Sequence, residues 1–285
     1  MNHSISIKNK SGTLFMIGST IGFSLVAMLV KFLKDIPVME IVLLKNLPTL
    51  LILFFVLRSR NISINVHENK LILLRAIFGT FATVAIYYTY KTMILVDALS
   101  IEQLSPLFVV ALSVKFLDEK IDFRRIIIFF VAFVGTILIV KPGLRFNLFP
   151  CFIGLLGGLS NATGKVMVRE LRNSEPLIIV KYYAFISSLC ALFFLLLQNS
   201  FILPNLEYLP ILIILGVINL FAQISLTMAF KYSPASLVSL YAYMKIIFGI
   251  FIGIIFFREI PDIFSVAGVF FILITGYLNY RFSKN

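Results

Sequence analysis

Residues 71–91 read LILLRAIFGTFATVAIYYTYK, an apolar run of 21 residues whose only charged side chains are Arg75 and Lys91. A helix of about 20 such residues crosses the hydrocarbon core of a bilayer. On either side of this run, hydropathy predicts nine further spans of similar length. The sequence therefore predicts an all-α, polytopic membrane protein of ten transmembrane helices. The predicted spans cover approximately residues 12–33, 38–57, 71–91, 97–117, 123–141, 149–168, 176–197, 208–230, 234–257 and 262–281.

The composition agrees with this prediction and excludes other classes of protein. Of the 285 residues, 60% are hydrophobic and 13% are charged, whereas soluble domains carry about 25% charged residues. Ten spans use about 200 residues, so little chain is left for a catalytic or nucleotide-binding domain. We predict no metal site and no cofactor, because the histidines and cysteines are the scattered His3, His67, Cys151 and Cys190.

Loop lysines and arginines are distributed unevenly between the two sides of the predicted topology. With the N-terminus inside, fourteen of them lie in cytoplasmic segments and five on the other side. Positively charged loops are retained in the cytoplasm, which predicts a multi-pass protein with both termini cytoplasmic. Most of the formal net charge of +12 then reflects topology, and no nucleic-acid partner is predicted.

The chain contains an internal repeat of five spans. We predict that the first repeat covers residues 1–146 and the second residues 147–285. Because five is an odd number, the two repeats cross the membrane in opposite directions, and inverted repeats are the architecture of many secondary transporters. The aligned pairs are Gly18–Gly154, Gly22–Gly158 and Lys45–Lys181 at an offset of 136 residues, and Phe81–Phe221, Lys91–Lys231 and Glu119–Glu259 at an offset of 140.

Polar side chains form a stripe along span three and another along span eight. Span three carries Thr80, Thr83, Tyr87 and Tyr90 at helical spacing, and span eight carries Asn219, Gln223 and Thr227. At the offset of 140 residues, Thr83 aligns with Gln223, so the stripes occupy equivalent positions in the two repeats. We predict that the two stripes line a cavity and that Thr83, Tyr87, Asn219 and Gln223 bind the substrate. Hydrogen bonds that hold helices together are the alternative.

Glu102 is the one carboxylate placed deep within a predicted span. An ionisable residue at that depth is costly and indicates function. Pro106 cannot donate to the carbonyl group of residue 102, so this turn combines a carboxylate, a free carbonyl oxygen and the amide of Gln103. We predict that Glu102 and Gln103 bind a proton, an ammonium group or hydroxyl groups, and neutralisation of a lysine is the alternative. Glu119 and Glu259, which follow spans four and nine, are predicted to anchor or cap loops.

Lys245 is the deepest of the six lysines and arginines inside the predicted spans. Tyr241 lies one turn before it, and Tyr243 lies on a neighbouring face. We predict that Lys245 binds a carboxylate or phosphate and that the tyrosine rings stack on a flat part of the substrate. An ion pair with Glu102 is the alternative.

The remaining cations in the spans differ in depth. Lys45 and Lys181, which align in the repeat, are predicted to be possible contacts for an anion. Lys31, Arg75 and Lys165 are predicted to lie near enough to an interface to snorkel toward it. The excess of positive charge within the spans indicates a solute with at least one anionic group.

Several segments resemble the ten-helix EamA-type members of the drug/metabolite transporter superfamily. They are ALSIEQLSPLF at 98–108, FLDEK at 116–120, SPASL at 233–237, YAY at 241–243 and FREIPD at 257–262. The last two segments are most similar to bacterial S-adenosylmethionine uptake carriers. The resemblance implies a solute carrier of the bacterial inner membrane that does not hydrolyse ATP, with spans five and ten at the periphery.

These observations together predict a secondary transporter that works by alternating access. The predicted solute is a small polar or amphipathic metabolite, such as an amino acid or a derivative like S-adenosylmethionine. Its other partners are the lipid bilayer and either a proton or a counter-solute, and the protein is a monomer or a homodimer. Two alternatives remain: an exporter of drugs or hydrophobic cations with the same fold, and a membrane scaffold without transport. A membrane-embedded enzyme is not predicted, because the spans lack the clustered acids, bases and nucleophiles that it needs.

Overall fold

A computed structural model describes residues 2–60, 69–119, 122–140, 148–198, 206–258 and 263–282. His67, Lys120, Glu259, Pro261 and Asp262, which enter the analysis above, lie outside these ranges. The regular elements within them are all helical, and two are short 3-10 helices, Leu206–Tyr208 and Ser239–Tyr243. The α-helices are α1 (Asn2–Phe32), α2 (Val38–Arg60), α3 (Asn69–Thr92), α4 (Leu95–Glu102), α5 (Ser105–Leu117), α6 (Phe123–Val140), α7 (Leu148–Glu170), α8 (Pro176–Gln198), α9 (Leu209–Tyr232), α10 (Ala235–Val238), α11 (Met244–Phe257) and α12 (Ile263–Phe282).

The helices account for the ten predicted spans. Within the described ranges, seven segments are long and apolar enough to cross a membrane, and three shorter apolar helices supply the rest of the ten. These three are Ser105–Leu117, Ile126–Gly135 and Val266–Thr275, which correspond to the fourth, fifth and tenth spans. The predicted all-α, polytopic architecture is thereby confirmed.

The fourth and ninth spans differ from the continuous helices that hydropathy predicts. The fourth is divided into α4 and α5, and Gln103 and Leu104 lie between them. The backbone N–H of Leu104 donates to the carbonyl oxygen of Ile101 over 3.1 Å, which tightens the last turn of α4 just before Pro106. The ninth span consists of α10, the 3-10 helix Ser239–Tyr243 and α11. Both breaks lie well inside the span rather than at its ends.

The helices pack mainly on partners from the opposite half of the chain. α1 packs along α9, and the equivalent pair in the repeat, α7 and α3, packs in the same way. α2 lies against α8, and α6 lies against α12. This exchange of partners interlocks the two halves of the chain. The proposed boundary between residues 146 and 147 remains a prediction, since it falls outside the described ranges.

Small residues allow the closest of these approaches. A methyl group added at Gly22 of α1 would lie 2.8 Å from Cβ of Ala222 of α9. One added at Gly154 of α7 would lie 2.8 Å from Cγ2 of Ile101 in α4. Because contacts this short do not occur between non-bonded carbon atoms, the absence of a side chain at Gly22 and Gly154 is what allows the close approach at these two points.

α6 and α12 lie at the periphery, as the sequence predicts. Their outward faces carry large apolar side chains, of which Phe130 is 65% exposed and Phe270 62% exposed. Their inward faces pack on each other and on elements of the fourth and ninth spans. Such helices can face lipid without cost, and the polar interior is left to the other eight spans.

Candidate functional site

A cavity lies between the two halves of the molecule, among α1, α3, α7, α8 and α9 and the breaks of the fourth and ninth spans. Its lining is mixed, with polar and charged side chains beside the apolar Met16, Phe23 and Ile86. The structure brings seven of the nine predicted substrate-binding residues to this cavity, namely Thr83, Tyr87, Glu102, Gln103, Asn219, Gln223 and Lys245.

Glu102 and Lys245 form a buried ion pair at the centre of the site. Lys245 Nζ lies 2.6 Å from Glu102 Oε2, and the two side chains are 7% and 12% exposed. The Tyr90 hydroxyl donates to the same carboxylate oxygen over 2.5 Å and accepts from Lys245 Nζ over 2.8 Å. The acid of the fourth span and the lysine of the ninth are therefore joined directly and through Tyr90, as the ion-pair alternative predicts.

Tyr241 and Tyr243 lie away from the cavity. Tyr243 packs with Ile128 and Phe129 of α6, and Tyr241 belongs to a cluster with Val109 of α5. The physical reason is the 3-10 geometry of Ser239–Tyr243, which places residues three apart, not four, on one face. Ala242 therefore lines the cavity together with Lys245. Substrate contacts by the two tyrosines remain a prediction.

The two polar stripes both line the cavity and connect helices. The Thr83 hydroxyl lies 2.6 Å from the hydroxyl of Tyr183 of α8. On the opposite stripe, Asn219 Oδ1 accepts from Lys45 Nζ over 3.3 Å. These residues therefore line the cavity and also form hydrogen bonds between helices, so both interpretations apply.

Lys45 and Lys181, the aligned pair, occupy different environments. Lys45 is fully buried, and its Nζ lies 5.4 Å and 5.7 Å from the ring centroids of Tyr87 and Tyr183. It sits behind Asn219, and it is not among the residues that line the cavity in the described part of the chain. Lys181 is half-buried and is likewise outside that lining. Anion contacts by both lysines remain predictions.

Arg75 and Lys165 do not snorkel, and that prediction is wrong. Both are buried, 6% and 9% exposed, and both line the cavity. Arg75 Nη2 donates to Gln223 Oε1 over 3.2 Å, and Lys165 Nζ donates to the Ser105 hydroxyl over 3.3 Å. The sequence signal that could have placed Arg75 is its spacing from Thr83, two helical turns along the same face of α3.

Further lining residues are missing from the predicted substrate-binding set, among them Tyr90, Asn161 and Tyr183. Helical spacing places Tyr90 in the same stripe as Tyr87, although Tyr90 is not among the predicted substrate-binding residues. Asn161 and Tyr183 carry no such signal. Their place in the cavity depends on which faces of α7 and α8 turn inward, and this is decided by packing against the other half.

Glu119 anchors the start of the ninth span, as the sequence predicts. Its carboxylate accepts from the backbone N–H groups of Ala235 and Ser236 over 2.9 and 3.0 Å and from the Ser236 hydroxyl over 2.8 Å. Arg169 Nε of α7 lies 3.5 Å from the same carboxylate. One end of the fourth span is thus tied to two elements of the other half.

Apolar helices in two interlocked halves, with a buried and charged cavity at their contact, are typical of a membrane transporter. The chain belongs to the EamA-like transporter family, whose family model matches residues 10–141 and again residues 148–281. The resemblance to the drug/metabolite transporter superfamily is thereby confirmed, and the protein is a membrane transporter of small molecules, not an enzyme.

Several known proteins are similar over most of their length. The pseudopaline exporter CntI of Pseudomonas aeruginosa is 29% identical over 264 residues, which cover 91% of this chain and 92% of that protein. Solute carrier family 35 member G1 of Mus musculus is 26% identical and covers 93% and 76% of the two chains. One crystal structure of a protein has the same fold, with a TM-score of 0.80 at 12% identity over 96% and 98% of the chains.

Proposed function

We propose that this protein is a secondary carrier that moves a small polar or amphipathic metabolite, an amino acid or a derivative of one, by alternating access. The observation that carries the proposal is the Glu102–Tyr90–Lys245 cluster, which joins the fourth span of one half to the ninth span of the other inside the cavity. A substrate that enters the cavity contacts both halves. Rocking of the halves about this contact would open the cavity to one side and then to the other.

The nature of the lining supports a polar solute. Charged and amide side chains from both halves meet within a cavity that also has aromatic walls. A solute with polar groups and a flat or apolar part fits such a lining. The name of the Pseudomonas relative, an exporter of pseudopaline, is consistent with carriage of a small metabolite, and S-adenosylmethionine remains one example of the predicted class.

The loop charges support the orientation that goes with this function. We place both termini in the cytoplasm and the protein in the bacterial inner membrane, because fourteen loop cations lie on the N-terminal side of the membrane and five on the other. Proteolysis of inside-out vesicles at an added C-terminal tag tests this orientation. Protection of the tag in those vesicles would reverse it.

Flux into proteoliposomes tests the transport function. The purified protein is reconstituted in vesicles that are loaded with a mixture of amino acids and their derivatives, S-adenosylmethionine included, and uptake of each labelled compound is measured by counterflow. We expect saturable uptake that requires the same compound inside the vesicle. Flux that does not saturate would indicate a channel, and absence of flux for every compound would support the scaffold alternative.

A proton-coupled mechanism has one clear candidate in Glu102, the carboxylate that lines the cavity in the described part of the chain. If a proton is the coupling partner, Glu102→Gln removes the pH dependence of transport while the protein is still expressed. An unchanged pH profile in this variant would exclude coupling through Glu102 and favour exchange with a counter-solute.

A second candidate function, export of hydrophobic cations, is favoured by the aromatic rings of Phe23, Tyr87 and Tyr90, which line the same cavity as the Glu102 carboxylate. The same vesicles test it with tetraphenylphosphonium as the labelled compound. Because the Glu102 carboxylate is already neutralised by its ion pair with Lys245, we expect no transport of this cation. Its transport, without transport of amino-acid derivatives, would replace the metabolite carrier with the exporter.

A further inference from the structure

Two cations of the cavity are not part of the ion pair that Lys245 forms with Glu102, although Lys165 is still attracted by the Glu102 carboxylate. Arg75 and Lys165 both line the cavity and are more than nine-tenths buried. Within the part of the chain that the structure describes, neither lies within ion-pair distance of a carboxylate. Uncompensated charge is costly in a buried site and more so at membrane depth. Among the described residues, the cavity lining has three cationic side chains and one carboxylate, which leaves an excess of two positive charges. A bound anion would compensate this excess.

The Arg75 head group is fixed by contacts with other helices, and one of its N–H donors has no partner among the described residues. Its guanidinium carbon lies 4.8 Å from the ring centroid of Tyr183, and Nη2 donates to Gln223. A methyl group added at Gly79 would lie 2.0 Å from Nη1, so the head group fills the space that this glycine leaves open. Among the described residues, the buried Nε–H has no hydrogen-bond partner.

Lys165 places a second positive charge in the same cavity. Of its three N–H donors, one is directed to the Ser105 hydroxyl at the break of the fourth span. Asn161, one turn earlier on α7, lines the cavity beside it. A methyl group at the intervening Gly164 would lie 3.6 Å from Arg75 Nη1, which shows that the arginine head group reaches the segment of α7 that carries Lys165.

We propose that Arg75 and Lys165 form the subsite that binds a carboxylate group of the transported metabolite. The planar fork of an arginine matches a carboxylate, and the lysine supplies a further donor and charge. Lys245, the cation singled out by the sequence, is instead bound to Glu102. This inference rests on the proposed carrier function and narrows its substrate class to metabolites with at least one carboxylate.

Equilibrium binding to the purified protein in detergent tests the subsite apart from transport. Thermal unfolding is followed with increasing glutarate, a small dicarboxylate, and with glutaramide, which has the same shape and no charge. A ligand that binds only the folded state raises its unfolding temperature in proportion to occupancy. We expect stabilisation by glutarate and none by glutaramide. Arg75→Gln and Lys165→Gln should each weaken the apparent Kd for glutarate at least about tenfold.

Lys115→Gln is the matched control, because it removes the same charge from an exposed lysine of α5, and it should leave the Kd unchanged. If Arg75→Gln does not fold, Arg75→Lys keeps the charge and loses the planar fork, and it should still weaken binding. No stabilisation by glutarate, equal stabilisation by both compounds, or an unaltered Kd in the Arg75 and Lys165 variants would each overturn the subsite. Glutarate binding without flux of any metabolite would overturn the proposed transport function and leave the subsite in place.

Discussion

The fourth and ninth spans share an interrupted backbone, but they contribute opposite charges to the cavity, Glu102 from the fourth and Lys245 from the ninth. Each is broken within its apolar span, and each is followed by a residue with left-handed backbone geometry, Asp118 at φ 51° and Arg258 at φ 53°. These two residues are separated by the repeat offset of 140. The same offset pairs Glu102 with Ala242 and Lys245 with Ser105, so each charge of the central cluster has an uncharged partner in the repeat.

This difference shows how a duplicated fold acquires an asymmetric site. The inverted repeat brings the two breaks together at the contact of the halves. Two acids placed there would repel each other, and so would two lysines. One acid from the first half and one lysine from the second instead attract, and the 2.6 Å ion pair is the result. The similar backbones of the two halves position the breaks, and the sequence differences between the halves create the ion pair.

The largest expected effect comes from removing one member of this pair. Glu102→Ala leaves Lys245 buried and uncompensated, and we expect the free energy of unfolding to fall by about 3–5 kcal/mol. The double variant Glu102→Met with Lys245→Met replaces the pair with apolar side chains and should recover most of that loss. Denaturant titration in detergent micelles measures all three proteins. A double variant as unstable as Glu102→Ala would show that the pair does not act as a unit.

The next largest loss of stability is expected at Glu119, which follows the fourth span and binds the start of the ninth span. Glu119→Gln leaves a neutral amide, whose single oxygen must replace two carboxylate oxygens that accept from Ala235 and Ser236. Since hydrogen bonds to charged groups are worth more than neutral ones, we expect a loss of about 1.5–3 kcal/mol.

Glu170→Gln is the control for that prediction, because Glu170 is an exposed acid at the end of α7, the helix that also carries Arg169. It should change the free energy of unfolding by less than about 0.5 kcal/mol. The same titration in micelles compares the two variants. Equal and small effects would mean that Glu119 does not hold the ninth span in place.

The sequence was sufficient to predict the spans and the polar stripes that line the cavity, because each is a periodic signal in hydropathy or spacing. It also identified Glu102 and Lys245, since a charge within an apolar run is conspicuous. It misplaced Arg75 and Lys165, because depth was judged from distance along the chain to the end of the span. In the structure Gly79 leaves room for the arginine head group to turn inward.

The tyrosines of the ninth span show a second limit. Tyr241 seemed to share a face with Lys245 because α-helical spacing was assumed for a segment that is a 3-10 helix. Proline marks the break of the fourth span in the sequence, but no proline lies between Ala235 and Phe257 to mark the break of the ninth. Local irregularity of this kind depends on packing between the halves and leaves no periodic trace.

A smaller effect is expected from the hydroxyl group that bridges the pair. Tyr90→Phe removes the hydrogen bonds to Glu102 and Lys245 and leaves their direct contact in place. We expect a loss of about 0.5–1.5 kcal/mol in the free energy of unfolding. Tyr88→Phe, on the half-buried face of the same helix, is the control and should cost less. A loss as large as that of Glu102→Ala would mean that Tyr90, not the ion pair, joins the two spans.

The smallest effect on stability is expected from the proline that distinguishes the two breaks. Pro106→Ala restores a backbone N–H that can bond to the carbonyl of Glu102, so α4 and α5 can join into a straighter helix. The free energy of unfolding should change by no more than about 1 kcal/mol, whereas metabolite flux into proteoliposomes should fall because Glu102 turns away from Lys245. Pro210→Ala is the matched control, since this proline also lies in the first turn of its helix but is exposed. Unaltered flux in Pro106→Ala would mean that packing alone maintains the fourth break, as it does in the ninth span without a proline.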